Sequence, residues 1–207
     1  MPVSINGNTG VITGISAGGL PDGCIVDADI NGMAASKLSG ALPAISGASL
    51  TGISAGITHM DQWRITSNFN GSQNPVANNW ERNDTQFSTL GTGFSAPSSG
   101  IWTFPVTGVW SLQFKANFSL SSQTSYLGVY IYLTSDNSNY NMRAIAYSGR
   151  AENYASANTD PIIINVTDLT NQKFRMDIST SNSSSNCLGD TGMFLTGITM
   201  IRLGDPQ

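Results

Sequence analysis

A chain of 207 residues is long enough for one sizeable core or two small ones. Its net charge of -4 and sequence pI near 4.7 exclude the basic face that nucleic acid requires. Charged residues make up only 11% of the chain, against roughly 25% in ordinary soluble domains, yet mean hydropathy is -0.06, so Ser, Thr, Asn and Gly supply the polar surface. With Glu81 and Glu152 as the only glutamates, few helix-forming surface residues remain, which disfavours a helical bundle or an ordinary α/β enzyme.

Residues 1–56 form the first part. The start, MPVSINGNTG, lacks the basic and apolar regions of a secretory leader, and no run approaches the roughly 20 apolar residues that cross a bilayer, so neither export nor membrane insertion is expected. The segment holds 11 of the 22 glycines and none of the aromatic residues. Thr13-Gly14-Ile15-Ser16-Ala17-Gly18 returns as Thr51-Gly52-Ile53-Ser54-Ala55-Gly56. Without large side chains such a segment cannot bury a core alone, whereas regular small residues let chains approach closely. A Gly/Ser-rich shaft that packs only against copies of itself is expected. Both repeats fit G-x-S-x-G, but neither has the strand and helix that a nucleophile elbow needs. Asp27-Ala28-Asp29-Ile30-Asn31-Gly32 starts like a calcium loop, but Leu38 stands where the bidentate Glu belongs, and a capped turn is expected instead. Cys24 and Cys187 are too far apart for a metal spacing and read as free thiols of a protein made in a reducing cytoplasm.

Composition changes near Gly56 to Met60, and residues 57–207 form the second part. His59, the only histidine, is expected in the linker between the two. Strands are expected near 62–67 and 100–106. From Trp110, Leu112, Phe114, Ala116, Phe118 and Leu120 alternate with polar residues, a strand with one dry face. In the next strand Leu127, Val129, Ile131 and Leu133 share one face and Tyr130 and Tyr132 the other. Further strands are expected near 141–147, 161–167 and 193–203, and over 173–179, where Phe174, Met176 and Ile178 point inward and Lys173, Arg175 and Asp177 outward. Short Asn/Ser/Gly loops between them point to an antiparallel all-β sandwich.

Phe104-Pro105-Val106-Thr107-Gly108-Val109-Trp110-Ser111-Leu112-Gln113-Phe114 resembles the core motif of the complement-head and tumour-necrosis-factor superfamily, with Trp110 where that motif usually has Tyr. Gly192-Met193-Phe194-Leu195-Thr196-Gly197-Ile198 is similar to its terminal strand. Trp80-Glu81-Arg82-Asn83-Asp84 and Leu90-Gly91-Thr92-Gly93 resemble versions found in virion proteins of marine bacteriophages. The stretch from Leu42 to Ile53 resembles phage tail fibres. The resemblance implies a jelly roll, a homotrimer, and a virion location after synthesis in the host cytoplasm.

No carboxylate pair stands out for glycoside hydrolysis, so a fibre-borne glycan hydrolase is disfavoured and no enzyme, metal or cofactor is expected. The expected function is a trimeric fibre or spike whose head binds a host surface glycan or protein, anchored to other virion proteins by the N-terminal segment. The alternative is a capsid or tail decoration protein. Asn, Ser and Tyr make adaptable polar contacts, which nominates the loop residues Asp136, Asn137, Asn139, Tyr140, Asn182 and Asn186 for receptor binding. Tyr130 and Tyr132, mid-strand and aromatic, are nominated for the trimer interface, with a sugar-stacking platform as the rival role.

Overall fold

The computed structural model describes residues 56–85, 88–149 and 151–207, and the backbone of residues 4–6 and 11–13. The chain divides into two units, Met1–Thr51 and Gly52–Gln207. In the first, β1 (Ser4–Asn6) and β2 (Val11–Thr13) pair antiparallel, with Ile5 opposite Ile12. The shaft expected over residues 1–56, with Ser16, Ser54, Cys24 and the turn at 27–32, lies outside the described residues apart from these two strands and Gly56.

The second unit is all-β among the described residues, as expected. Its strands are β3 (His59–Ile65), β4 (Phe69–Asn70), β5 (Trp80–Arg82), β6 (Ile101–Thr103), β7 (Gly108–Thr124), β8 (Leu127–Thr134), β9 (Asn141–Ser148), β10 (Ala151–Asn158), β11 (Ile162–Val166), β12 (Lys173–Thr180), β13 (Asn186–Cys187) and β14 (Gly197–Gly204). They form two antiparallel sheets. The larger runs β4-β13-β7-β14-β3-β5, with β10 and β11 also on β7; the smaller runs β6-β12-β8-β9. The 17-residue β7 is the spine of the larger sheet. Each of its edges carries two strands end to end, β14 then β13 on one and β11 then β10 on the other. At the break between β11 and β10, buried Thr159 bridges the gap: its N–H donates to the Phe114 carbonyl (2.9 Å), and its hydroxyl accepts from the Phe114 N–H (3.0 Å).

Period-two patterning explains the core. Trp110, Leu112, Phe114, Ala116, Phe118 and Leu120 are all buried, and the polar residues between them are half-buried on the outer side. Leu127, Val129 and Ile131 of β8 and Phe174, Met176 and Ile178 of β12 fill the facing layer. An aromatic cluster closes one region of this core. Trp102 stacks on Phe174 (5.9 Å, 10°) and meets Trp63, Trp80 and Phe94 edge-on at 5.4, 5.2 and 6.3 Å. The proline corner between β6 and β7 is held by the Trp110 indole, whose N–H donates to the Val106 carbonyl (3.1 Å). An aromatic residue with a ring N–H therefore serves this position.

Beside that cluster sits a buried carboxylate. Asp61 accepts from the Trp63 indole (3.0 Å), the Phe94 backbone N–H (2.7 Å), Arg82 Nε (3.0 Å) and Arg82 Nη2 (3.1 Å). It thus ties β3 to β5 and to the loop before β6. Gly93 makes this approach possible. A Cβ there would lie 2.7 Å from Arg82 Nη2 and 2.8 Å from Asp61 Oδ2, atoms already fixed by hydrogen bonds. Gly93→Ala is expected to destabilise the fold by about 1–3 kcal/mol through overpacking, read as a lowered urea midpoint at unchanged slope.

Three sequence expectations are corrected. His59 is not a linker residue: it lies in β3, its ring 6.2 Å from that of Trp110, with Nδ1 3.0 Å from the Thr58 hydroxyl. Burial and then the charge of Arg202 push its pKa below the usual imidazole value. Asp177 is not solvated; it is buried, paired with Arg175 on the same strand and set opposite Tyr130. A strand forms at β10, where none was expected, because β7 runs on past β11 and leaves an edge to be paired.

Candidate binding site

The outer face of the smaller sheet brings exposed and half-buried aromatic rings together with polar groups. Strand register brings them together. Asp177 lies opposite Tyr130, Arg175 opposite Tyr132 and Ser179 opposite Gly128. On the other side of β8, Tyr147 lies opposite Gly128, Ile145 opposite Tyr130 and, past a bulge, Met142 opposite Tyr132. Gly128 leaves a gap over which two rings lean: a Cβ there would lie 2.7 Å from Tyr130 Oη and 2.9 Å from Tyr147 Cε1. Tyr130 Oη donates to Tyr147 Oη (3.2 Å), and the Tyr147 ring meets Tyr126 and Tyr130 edge-on at 5.9 and 6.0 Å. Tyr147 is 59% exposed, so this aromatic group is open to solvent. Burial, and next the hydrogen bond to Tyr147, push the Tyr130 phenol well above its ordinary range and keep it neutral.

Arg175 is held between two rings, its guanidinium carbon 4.8 Å from the Tyr132 centroid and 5.3 Å from that of Tyr140. Its Nη2 donates to Asp177 Oδ2 (3.1 Å). Asp177 is only 4% exposed; burial raises its carboxyl pKa, and Arg175 opposes that rise. The second carboxylate oxygen, Oδ1, and Arg175 Nε are buried and have no protein partner. Tyr130, Tyr132, Arg175, Asp177, Asn74 and Ser179 line an open cleft of about 340 Å³.

Of the residues expected from sequence, Tyr130, Tyr132 and Tyr140 come together here, the last through Arg175. The others do not. Asp136 is consumed by its own turn: Oδ1 accepts from the backbone of Ser138 and Asn139 and from the Thr134 hydroxyl, and Oδ2 accepts from Asn139 Nδ2 (2.6 Å). The Asn139 side chain first, then the other donors, hold its carboxyl well below the usual range. Asp168 builds the same turn with Thr170 and Asn171, and Asn137 N–H donates to the Asn171 carbonyl (3.0 Å), docking the two loops. Asn182 Oδ1 caps a turn at Ser184, and Asn186 pairs in β13 between Asn70 and Ser119. Because β8 and β12 are antiparallel, these last two lie at the opposite end of the sandwich from Asp136. The two glutamates serve separate contacts: Glu81 pairs with Arg64 (3.1 Å), and Glu152 accepts from Gln123 (2.7 Å). Among the described residues, no three His, Cys, Asp or Glu side chains gather as a metal site. Arg175, Asp177 and Tyr147 are the site residues that sequence reasoning missed.

No protein-family model matches the chain, and no curated protein matches it in sequence. Solved structures do match in shape. Eiger TNF from S. frugiperda superposes with a TM-score of 0.57 at 9% identity, covering 73% of this chain and 95% of that one. Murine APRIL at pH 5.0 gives 0.52 at 12% identity, and at pH 8.5 gives 0.51 at 12%; each covers 70% of this chain and 98% of its own. The fold is therefore a TNF-like jelly roll.

Proposed function

We propose that this chain is a virion structural protein whose jelly-roll head adheres to a host surface molecule as a homotrimer. The observation that carries the binding reading is the tyrosine face of the smaller sheet, which presents exposed rings beside polar groups left without partners. The virion assignment rests on the resemblance of residues 42–53, 80–84 and 90–93 to phage proteins, and the trimer on the resemblance of the head motif. Anchoring to other virion proteins is assigned to the N-terminal segment, and the work is binding rather than chemistry.

The larger sheet offers a contact surface for such a trimer. Ile163, Ser111, Ile201, Met60 and Leu90 stand in one row across its outer face, in register. The row is uncharged, and Ile163 at its end is 60% exposed. Tyr130 and Tyr132 are the other candidate contact. Enclosing them at an axis would bury the Arg175–Asp177 pair more deeply, at a desolvation cost that the apolar row avoids. Sedimentation equilibrium at micromolar concentration is expected to give about three times the 21.8 kDa chain mass. A monomer mass would refute the trimer. Adhesion is tested by retention of the labelled chain on a panel of marine bacteria. Labelling spread over the capsid surface, with no retention on cells, would favour the decoration alternative.

A further inference from the structure

We infer that the cleft between Tyr130, Tyr132, Arg175 and Asp177 binds a neutral sugar ring. This deepens the adhesive reading, on which it rests, and moves the receptor site from the loops to the sheet face.

Three features of the cleft select that chemistry. First, its lining is polar, with Asn74, Arg175, Asp177 and Ser179 bordering it, and it lies over buried groups whose hydrogen-bonding capacity is unused. Asp177 Oδ1 is an acceptor and Arg175 Nε a donor; both are buried, both residues line the cleft, and neither atom has a protein partner. Unpaired groups of this kind are destabilising until water or a ligand completes them, and these two lie at a cleft that can admit one. A hydroxyl offers both a donor and an acceptor, so neighbouring ring hydroxyls complement an acceptor and a donor together. Second, the adjoining rings of Tyr130 and Tyr132, 6.3 Å apart and tilted by 32°, border a mainly polar cleft and give the C–H face of a sugar aromatic edges to meet. Third, the space fits: about 340 Å³ falls at the lower end of the roughly 300–1,000 Å³ typical of small-ligand sites.

The electrostatics decide between neutral and charged ligands. Arg175 is matched by Asp177 at 3.1 Å, so the cleft floor carries no net charge. The free oxygen of Asp177 repels an anionic sugar, and Arg175, facing Tyr132 and Tyr140, repels a cation. The hollow formed by Tyr126, Tyr130 and Tyr147 is a ring cluster of a kind that also suits a quaternary ammonium, which makes choline the proper competitor. A single shallow site of this type binds weakly. Three of them on one trimer would act together on a glycan-coated surface, so modest affinity at each cleft suffices for adhesion.

The test uses the full chain and saturation-transfer NMR against an array of neutral mono- and oligosaccharides, with a sialoside and choline as comparators. At least one neutral sugar is expected to bind saturably, and at least tenfold more tightly than either comparator. Asp177→Asn, which preserves shape and replaces one acceptor oxygen with a donor, is expected to weaken it at least tenfold while the melting temperature and oligomer mass stay near the parent. Tyr132→Ala is expected to weaken it at least as much. The inference is overturned by no saturable binding across the array, by a preference for sialoside or choline, or by parent-like binding in Asp177→Asn. It is also overturned if Tyr132→Ala dissociates the oligomer, since a second copy would then occupy the face. Retention on cells separates the two levels. A parent chain that adheres but ignores the array sinks the cleft and leaves the adhesive function; a parent chain that binds a sugar but no cell sinks the adhesive function and leaves the cleft.

Discussion

Asp61→Ala is expected to lose about 3–5 kcal/mol of folding stability, a large fraction of the roughly 5–15 kcal/mol available to a domain. The carboxylate is 1% exposed and is the shared acceptor for an indole N–H, a backbone N–H and a guanidinium. Its removal strands the Trp63 and Phe94 donors inside the core, each at roughly 1–3 kcal/mol. Arg82 loses less, because its side chain is partly open to water and its Nη2 keeps the Phe94 carbonyl at 2.6 Å. Asp61→Asn keeps one acceptor oxygen, so it should fall between parent and alanine. Urea unfolding followed by tryptophan fluorescence checks the order; equal midpoints for parent and Asp61→Ala would refute it.

Trp102→Ala should be as damaging, at about 3–5 kcal/mol. The ring is fully buried among Trp63, Trp80, Phe94 and Phe174, so truncation opens a cavity that rings on two sheets cannot both collapse into. Its indole nitrogen has no partner. Trp102→Phe removes that unpaired donor as well as some volume, and should therefore be distinctly milder than alanine. Thermal melts of the two variants separate packing from polarity: if phenylalanine is as harmful as alanine, the buried N–H carries no penalty.

How much of this was legible depends on how local the cause is. The dry face of β7 was readable from Trp110 to Leu120, because period-two alternation needs only neighbouring residues. The split of β8 into a core face and a tyrosine face was readable for the same reason. The pairing of Tyr130 with Asp177 and of Tyr132 with Arg175 was not: register joins strands more than forty residues apart, and no alternation encodes it. Burial of Asp177 follows from that pairing, so it was misread as well. β10 was hidden by its composition, since Ala, Glu and Asn are poor strand formers, and only the free edge of β7 makes it a strand. For Asp136 the sequence does carry a signal. Asp136-Asn137-Ser138-Asn139 and Asp168-Leu169-Thr170-Asn171 share the pattern Asp-x-Ser/Thr-Asn. In both, the aspartate accepts two backbone N–H groups and the Asn amide, which is turn chemistry rather than recognition chemistry.

The order of strands in the larger sheet also governs how the head can be made. β14 lies between β7 and β3, yet it is synthesised after both. Until residues 197–204 leave the ribosome, one edge of β7 and one edge of β3 stay unpaired, with Trp63, Leu112 and Phe114 lacking the strand that completes their layer. Closure is therefore a late, long-range event, slower than hairpin formation because distant segments must meet first. A nascent head offers raw sheet edges to its neighbours throughout translation. The very low charge of the chain gives little electrostatic protection in that interval, which leaves the polar Asn- and Ser-rich surface and prompt arrival of β14 as its safeguards against aggregation.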